Sequence, residues 1–152
     1  MNKRLLILYH TQSGHTASMA EAVLRGAQRE TAIQTILKRA FDTTLEDLLN
    51  CHGLIIGTPE NFGTMSGAVK DFFDRTYYPA EGKTVGLPYA LFISADNDGS
   101  GAVTQIDRIA LGYGWKRVAE PVIARHGVSE DDLLRCEELG EALAAGIALG
   151  VF

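Results

Sequence analysis

The sequence predicts an α/β fold: a five-stranded parallel sheet in the order 2-1-3-4-5, with helices on both faces. Three observations predict it. Five short apolar runs alternate with stretches of helical periodicity, and strict alternation implies parallel strands joined by right-handed crossovers. The first, third and fourth runs are almost wholly apolar, as central strands are, while the second and fifth are polar or carry proline, as edges do. Polar, glycine-containing loops follow the first, third and fourth runs, where such sheets bind ligands.

Each element has its own reason. Leu5-Leu6-Ile7-Leu8-Tyr9 is a continuous apolar run that reads as a strand covered on both faces. A helix is expected from about Thr16, with Met19, Ala20, Val23, Leu24 and Ala27 on one side. The second strand is placed at Ala32 to Leu37, and Thr44 is positioned to cap a short helix through Leu48 and Leu49. Gly53 to Gly57 forms the third strand, and Ser66 opens a helix carrying Val69, Phe72 and Phe73. Tyr89 to Ile93 is the fourth strand, followed by a helix from about Ala102 with Ile106, Ile109 and Ala110 inward. Lys116 to Ile123 is expected as a last, edge strand because of Pro121. Ser129, followed by Glu130, Asp131 and Asp132, opens a final helix to about Gly150, its acids matching the positive end of the helix dipole.

Bulk properties agree with one domain over residues 1–152. Hydrophobic residues make up 46% of the 152 and charged residues 22%, an ordinary globular balance. A net charge of −5 argues against a nucleic-acid-binding surface. The two cysteines, Cys51 and Cys136, form neither a C-x-x-C nor a zinc spacing and read as packed thiols of a cytoplasmic protein. The start, Met1 to Arg4 and then Leu5 to Leu8, imitates the charged end of a signal peptide. Its apolar run is too short for a signal core or a membrane span.

The loop after the first strand, His10-Thr11-Gln12-Ser13-Gly14-His15-Thr16, offers three hydroxyls and a glycine at the start of a helix. Those are the parts of an anion site. It holds no lysine or arginine, so it is not a nucleotide-triphosphate loop, and G-x-G-x-x-G is also missing. A single phosphate monoester is the ligand that fits. The loop after the third strand, Thr58-Pro59-Glu60-Asn61-Phe62-Gly63, places a large aromatic residue where solvent is expected, which a flat stacking ring would explain. The loop after the fourth, Ser94-Ala95-Asp96-Asn97-Asp98-Gly99, is acidic. Its spacing lacks the closing glutamate of a calcium loop. No Ser/His/Asp or Cys/His set suggests side-chain catalysis, so no catalytic residue is assigned.

The string T-x-S-G-x-T after a buried first strand resembles the phosphate loop of flavodoxins and their relatives. The stretch T-P-x-x-F-G-x-M-S-G from Thr58 to Gly67 is similar to the WrbA-type branch, the flavodoxin-like NAD(P)H:quinone oxidoreductases. The resemblance implies a flavodoxin-like three-layer sandwich and FMN as cofactor. It implies that Thr11, Gln12, Ser13, Gly14, His15 and Thr16 hold the phosphate. Thr58, Pro59, Glu60, Asn61, Phe62 and Gly63 are then ring contacts, and Ser94, Ala95, Asp96, Asn97 and Gly99 meet the pyrimidine edge. The family often carries a basic residue where Glu60 or Asn61 stands here. The implied activity is electron transfer from NAD(P)H to a quinone or similar small acceptor, with a one-electron carrier between redox proteins as the alternative. WrbA-type proteins complete their site with a neighbouring subunit, which implies a homo-oligomer, with Tyr77 to Lys83 as a candidate contact.

Overall fold

The computed structural model describes residues 2–152; Met1, the first residue of the signal-like start, lies outside the described residues. Parallel strands β1 (Arg4–Tyr9), β2 (Gln34–Arg39), β3 (Gly53–Pro59) and β4 (Pro88–Ala95) are joined by β5 (Lys116–Arg117) and β6 (Val122–Arg125). The order is β2-β1-β3-β4-β5, with β6 also on β4. Helices α1 (His15–Ala27) and α5 (Glu130–Leu149) cover one face; α2 (Leu45–Asn50), α3 (Gly67–Ala80) and α4 (Ser100–Tyr113) cover the other. Among the described residues no helix is long and apolar enough to cross a membrane.

Strand periodicity divides the core in two. Leu5 and Ile7 point toward α1 and α5 with Ile55 and Phe92, while Leu6 and Leu8 point toward α3 with Leu54, Ile56 and Leu91. The Leu, Ile and Phe side chains of these central runs therefore lose their water, each contributing roughly 1.5–3 kcal/mol before the entropy of ordering is counted. Thr44 and Ser129 cap α2 and α5, each in a reciprocal box with the acid three residues on, Asp47 and Asp132. Ser66 caps α3 by accepting from the Val69 N–H.

Three boundaries differ from the sequence expectation. The second strand begins at Gln34 and runs on to Arg39, because an edge strand tolerates charge: Lys38 pairs with Asp47 and Arg39 lies over the Tyr9 ring. The fourth helix starts at Ser100, since Gly99 in the left-handed region turns the chain there. The expected last strand is two pieces. Lys116 pairs with Pro88 but Val122 pairs with Phe92, so two extra residues bulge between them. Pro121, with no N–H for the ladder, ends that bulge.

Candidate functional site

The carboxyl ends of β1, β3 and β4 and the loops that follow them enclose a polar cavity of about 240 Å³. It lies at the point where the chain reverses its order along the sheet, between β1 and β3.

The first loop builds one wall. Gly14, at φ 95°, is the N-cap of α1 and gives it no side-chain cap. The first helical bond runs from the Ser18 N–H to the Gly14 carbonyl, so the N–H groups of His15, Thr16 and Ala17 remain without acceptors among the described residues. No acid stands in this first turn, leaving the positive end of the helix dipole uncompensated. Thr11 Oγ1 accepts from the Gly14 N–H at 3.1 Å, which tightens the loop. Gln12, Ser13 and His15 line the cavity, whereas Thr16 is buried and its hydroxyl lies 2.8 Å from that of Ser94. Of the three hydroxyls read in the sequence, those of Thr11 and Thr16 have protein partners, and among the described residues Ser13's has none.

The second wall is a hairpin. Asn61 and Thr64 exchange backbone hydrogen bonds at 2.8 and 3.0 Å around Phe62 (φ 52°) and Gly63 (φ 76°). Two positive φ angles make this a tight primed turn. Glycine takes that conformation freely, but phenylalanine takes it at a cost of roughly 1–3 kcal/mol. The strained Phe62 ring is fully exposed rather than packed in the core. Asn61 Nδ2 donates to Gln12 Oε1 at 2.6 Å and bridges the first and second loops over the cavity. Pro59, Glu60 and Asn61 line it; Thr58 is buried, with its hydroxyl accepting from the Ser66 N–H at 2.9 Å, and shapes the loop from below.

Glu60 works across to the third loop. Its carboxylate accepts from the Ala102 N–H at 3.2 Å, in the first turn of α4, whose N-cap Gly99 offers no side chain. Gly101 permits this approach, since a Cβ there would lie 2.0 Å from the Gly63 carbonyl oxygen. That role escaped sequence reading, although the run Gly99-Ser100-Gly101 hinted at close backbone contact. In the third loop Ser94, Ala95 and Asp96 line the cavity. Asn97 is exposed beside it, and Gly99 lies beneath, packed on Ile123. Asp98 turns away onto Ser100, whose N–H and hydroxyl, at 2.9 and 2.8 Å, hold its carboxyl below the usual range; nearby Arg125 adds to this. Arg125, which the sequence reading did not select, donates to the Asp98 carbonyl.

Among the described residues no three His, Cys, Asp or Glu side chains gather to hold a metal ion.

The chain matches the family model described as NADPH-dependent FMN reductase over residues 17–127. It is 30% identical to a flavodoxin of Aquifex aeolicus, covering 97% of this chain and 89% of that protein. It is 35% identical to an NAD(P)H dehydrogenase (quinone) of Acidithiobacillus ferrooxidans over 68% of this chain and 62% of that one, so it spans less than two thirds of that relative. In fold it resembles a WrbA-like flavodoxin protein from Agrobacterium tumefaciens, with a TM-score of 0.80 at 22% identity over 97% of this chain and 99% of the other.

Proposed function

Because the chain belongs to the NADPH-dependent FMN reductase family, we propose that it binds FMN in the cavity above β1 and β3 and passes electrons from NAD(P)H to a quinone or similar small acceptor. The observation that carries this reading is the uncapped first turn of α1 beside Ser13. Three N–H groups and a hydroxyl without acceptors or partners among the described residues, with no lysine or arginine in the loop, suit one phosphate monoester. When bound, FMN supplies hydride acceptance and onward electron transfer.

The protein's part is to bind and orient. Ser13 and the first turn of α1 hold the phosphate. The Gln12–Asn61 bridge fixes the distance between the phosphate end and the ring end. Pro59, Asn61, Ala95 and Asp96 border the ring, and Phe62, already paid for in backbone strain, offers it an apolar face. Asp96 lines the cavity, and its negative charge would disfavour negative charge on a ring bound there. A second copy of the chain would help cover the nicotinamide, but not by way of Tyr77 to Lys83: that segment ends α3 beside the starts of β4 and β5, at the other end of the sheet from the cavity.

The Aquifex flavodoxin, matched along nearly its whole length, supports a second reading as a one-electron carrier. An anaerobic experiment separates the two. The FMN-loaded protein is mixed with NADPH or NADH and its visible absorbance followed. Rapid bleaching, reversed by a quinone, is the expected result. No bleaching by either nucleotide, with chemical reduction in two separate one-electron steps, would establish the carrier instead. Failure to bind FMN would overturn both.

A further inference from the structure

Beside the first loop, at the ends of β1 and β2, four side chains form a rim that the FMN reading does not use. Tyr9 and Arg39 are register partners, and the Arg39 guanidinium lies 5.4 Å from the centre of the Tyr9 ring. The next residue along, His10, meets the ring of Phe41 edge-on at 6.1 Å. Arg39 is exposed and takes part in none of the ion pairs among the described residues, although Asp42 is only three residues away. Phe41 is 64% exposed, and the edge of the His10 ring meets its ring.

From this rim we infer that Arg39 and Phe41 bind the adenosine end of the reduced dinucleotide, Arg39 taking a 2′-phosphate and Phe41 stacking on the base. The inference rests on the reductase reading above and names a site for its electron donor. A guanidinium stacked on a ring keeps its donor fork open and pre-set, which suits a phosphate oxygen pair. An exposed aromatic ring two residues along the chain offers a purine a face to stack on. In other open α/β sheets an arginine near the ribose accommodates the 2′-phosphate that distinguishes NADPH from NADH. The location allows the nicotinamide to reach the flavin site. From the end of β2 to the end of β4 is three strand spacings, about 14 Å, and an extended dinucleotide spans that gap.

The guanidinium's field is felt at the start of the ligand loop. Burial first, and the Arg39 charge second, push the His10 imidazole below its ordinary pKa of 6.5. Near neutral pH the imidazole is therefore uncharged, and the rim's positive charge is that of Arg39.

The test uses the FMN-loaded protein and three variants, Arg39→Ala, Arg39→Lys and Phe41→Ala. Binding of 2′,5′-ADP is measured by calorimetry beside 5′-AMP. Wild type is expected to bind 2′,5′-ADP, Arg39→Ala to lose at least tenfold, and Arg39→Lys to recover part of it. Phe41→Ala is expected to weaken both nucleotides. In flavin bleaching, Arg39→Ala lowers the preference for NADPH over NADH by tenfold or more. Equal affinity of wild type and Arg39→Ala for 2′,5′-ADP, or no binding to wild type, overturns the assignment. So does an Arg39→Ala variant that loses FMN but not riboflavin, since the cation would then serve the flavin's own phosphate. If no nucleotide bleaches the flavin yet 2′,5′-ADP binding still depends on Arg39, the site stands and the reductase reading falls.

Discussion

The hydroxyls of Thr16 and Ser94 lie 2.8 Å apart in the interior, joining the start of α1 to the end of β4 across 78 residues of sequence. The two hydroxyls partner each other at the floor of the cavity, with Ser94 lining it and Thr16 buried beneath. Thr16→Val is therefore expected to strand the Ser94 hydroxyl and cost about 1–3 kcal/mol. The double variant Thr16→Val/Ser94→Ala should cost less than the sum of the single changes. Urea unfolding of all four proteins closes the cycle; strictly additive losses would show that the pair contributes nothing as a pair.

A second contact holds the hairpin over the cavity. Gly101 stands where a methyl group would meet the Gly63 carbonyl at 2.0 Å, and backbone, unlike a flexible side chain, yields only by moving the loop. Gly101→Ala is expected to cost about 1–3 kcal/mol and to speed amide exchange at Asn61 and Thr64, whose bonds close the turn. Glu60→Ala, which removes the acceptor from the first turn of α4, should cost about 1 kcal/mol, with Glu60→Gln losing less. Unchanged exchange at Asn61 and Thr64 in Gly101→Ala would mean that the hairpin does not lean on α4.

These contacts mark what could and could not be seen in the chain alone. The central strands were legible because unbroken apolar runs such as Leu54-Ile55-Ile56 have few places to go except between two helical layers. The caps at Thr44, Ser66 and Ser129 were legible because their partners lie three residues away. The three loops were placed correctly over the strand ends. What was hidden depends on distant partners. The Thr16 hydroxyl meets that of Ser94, 78 residues away, and Glu60, besides lining the cavity, accepts from the Ala102 N–H. The break in the last strand was hidden too, because Val118 to Pro121 carries no signal for two residues bulging out of register with β4.

Neither cysteine is expected to act as a redox partner for the site. Burial pushes the thiols of both Cys51 and Cys136 up to about 12, and both are unpaired. The thiolate is the reactive species, so at pH 8 a disulfide reagent should label neither within minutes in the native protein and both in 6 M guanidinium. Fast labelling of the native protein at one site would show that the local structure opens there.

Just below neutrality, before the carboxylates titrate, part of the pH dependence of stability follows from His10. Its imidazole is held below the ordinary value of 6.5 by burial and by Arg39, so the folded chain prefers it neutral. As pH falls through 6.5 the unfolded chain takes up a proton before the folded one does, and stability drops with falling pH. The loss ends once the folded form is protonated as well; above the unfolded value the contribution is constant. His10→Gln is expected to flatten the stability profile on the acid side of neutrality. Arg39→Ala should raise the His10 pKa toward its ordinary value, followed by the imidazole resonances in an NMR titration, and should make the slope shallower without removing it, because burial remains. A His10 pKa that does not move in Arg39→Ala would place the guanidinium's charge away from the loop, and would count against its reaching a phosphate there.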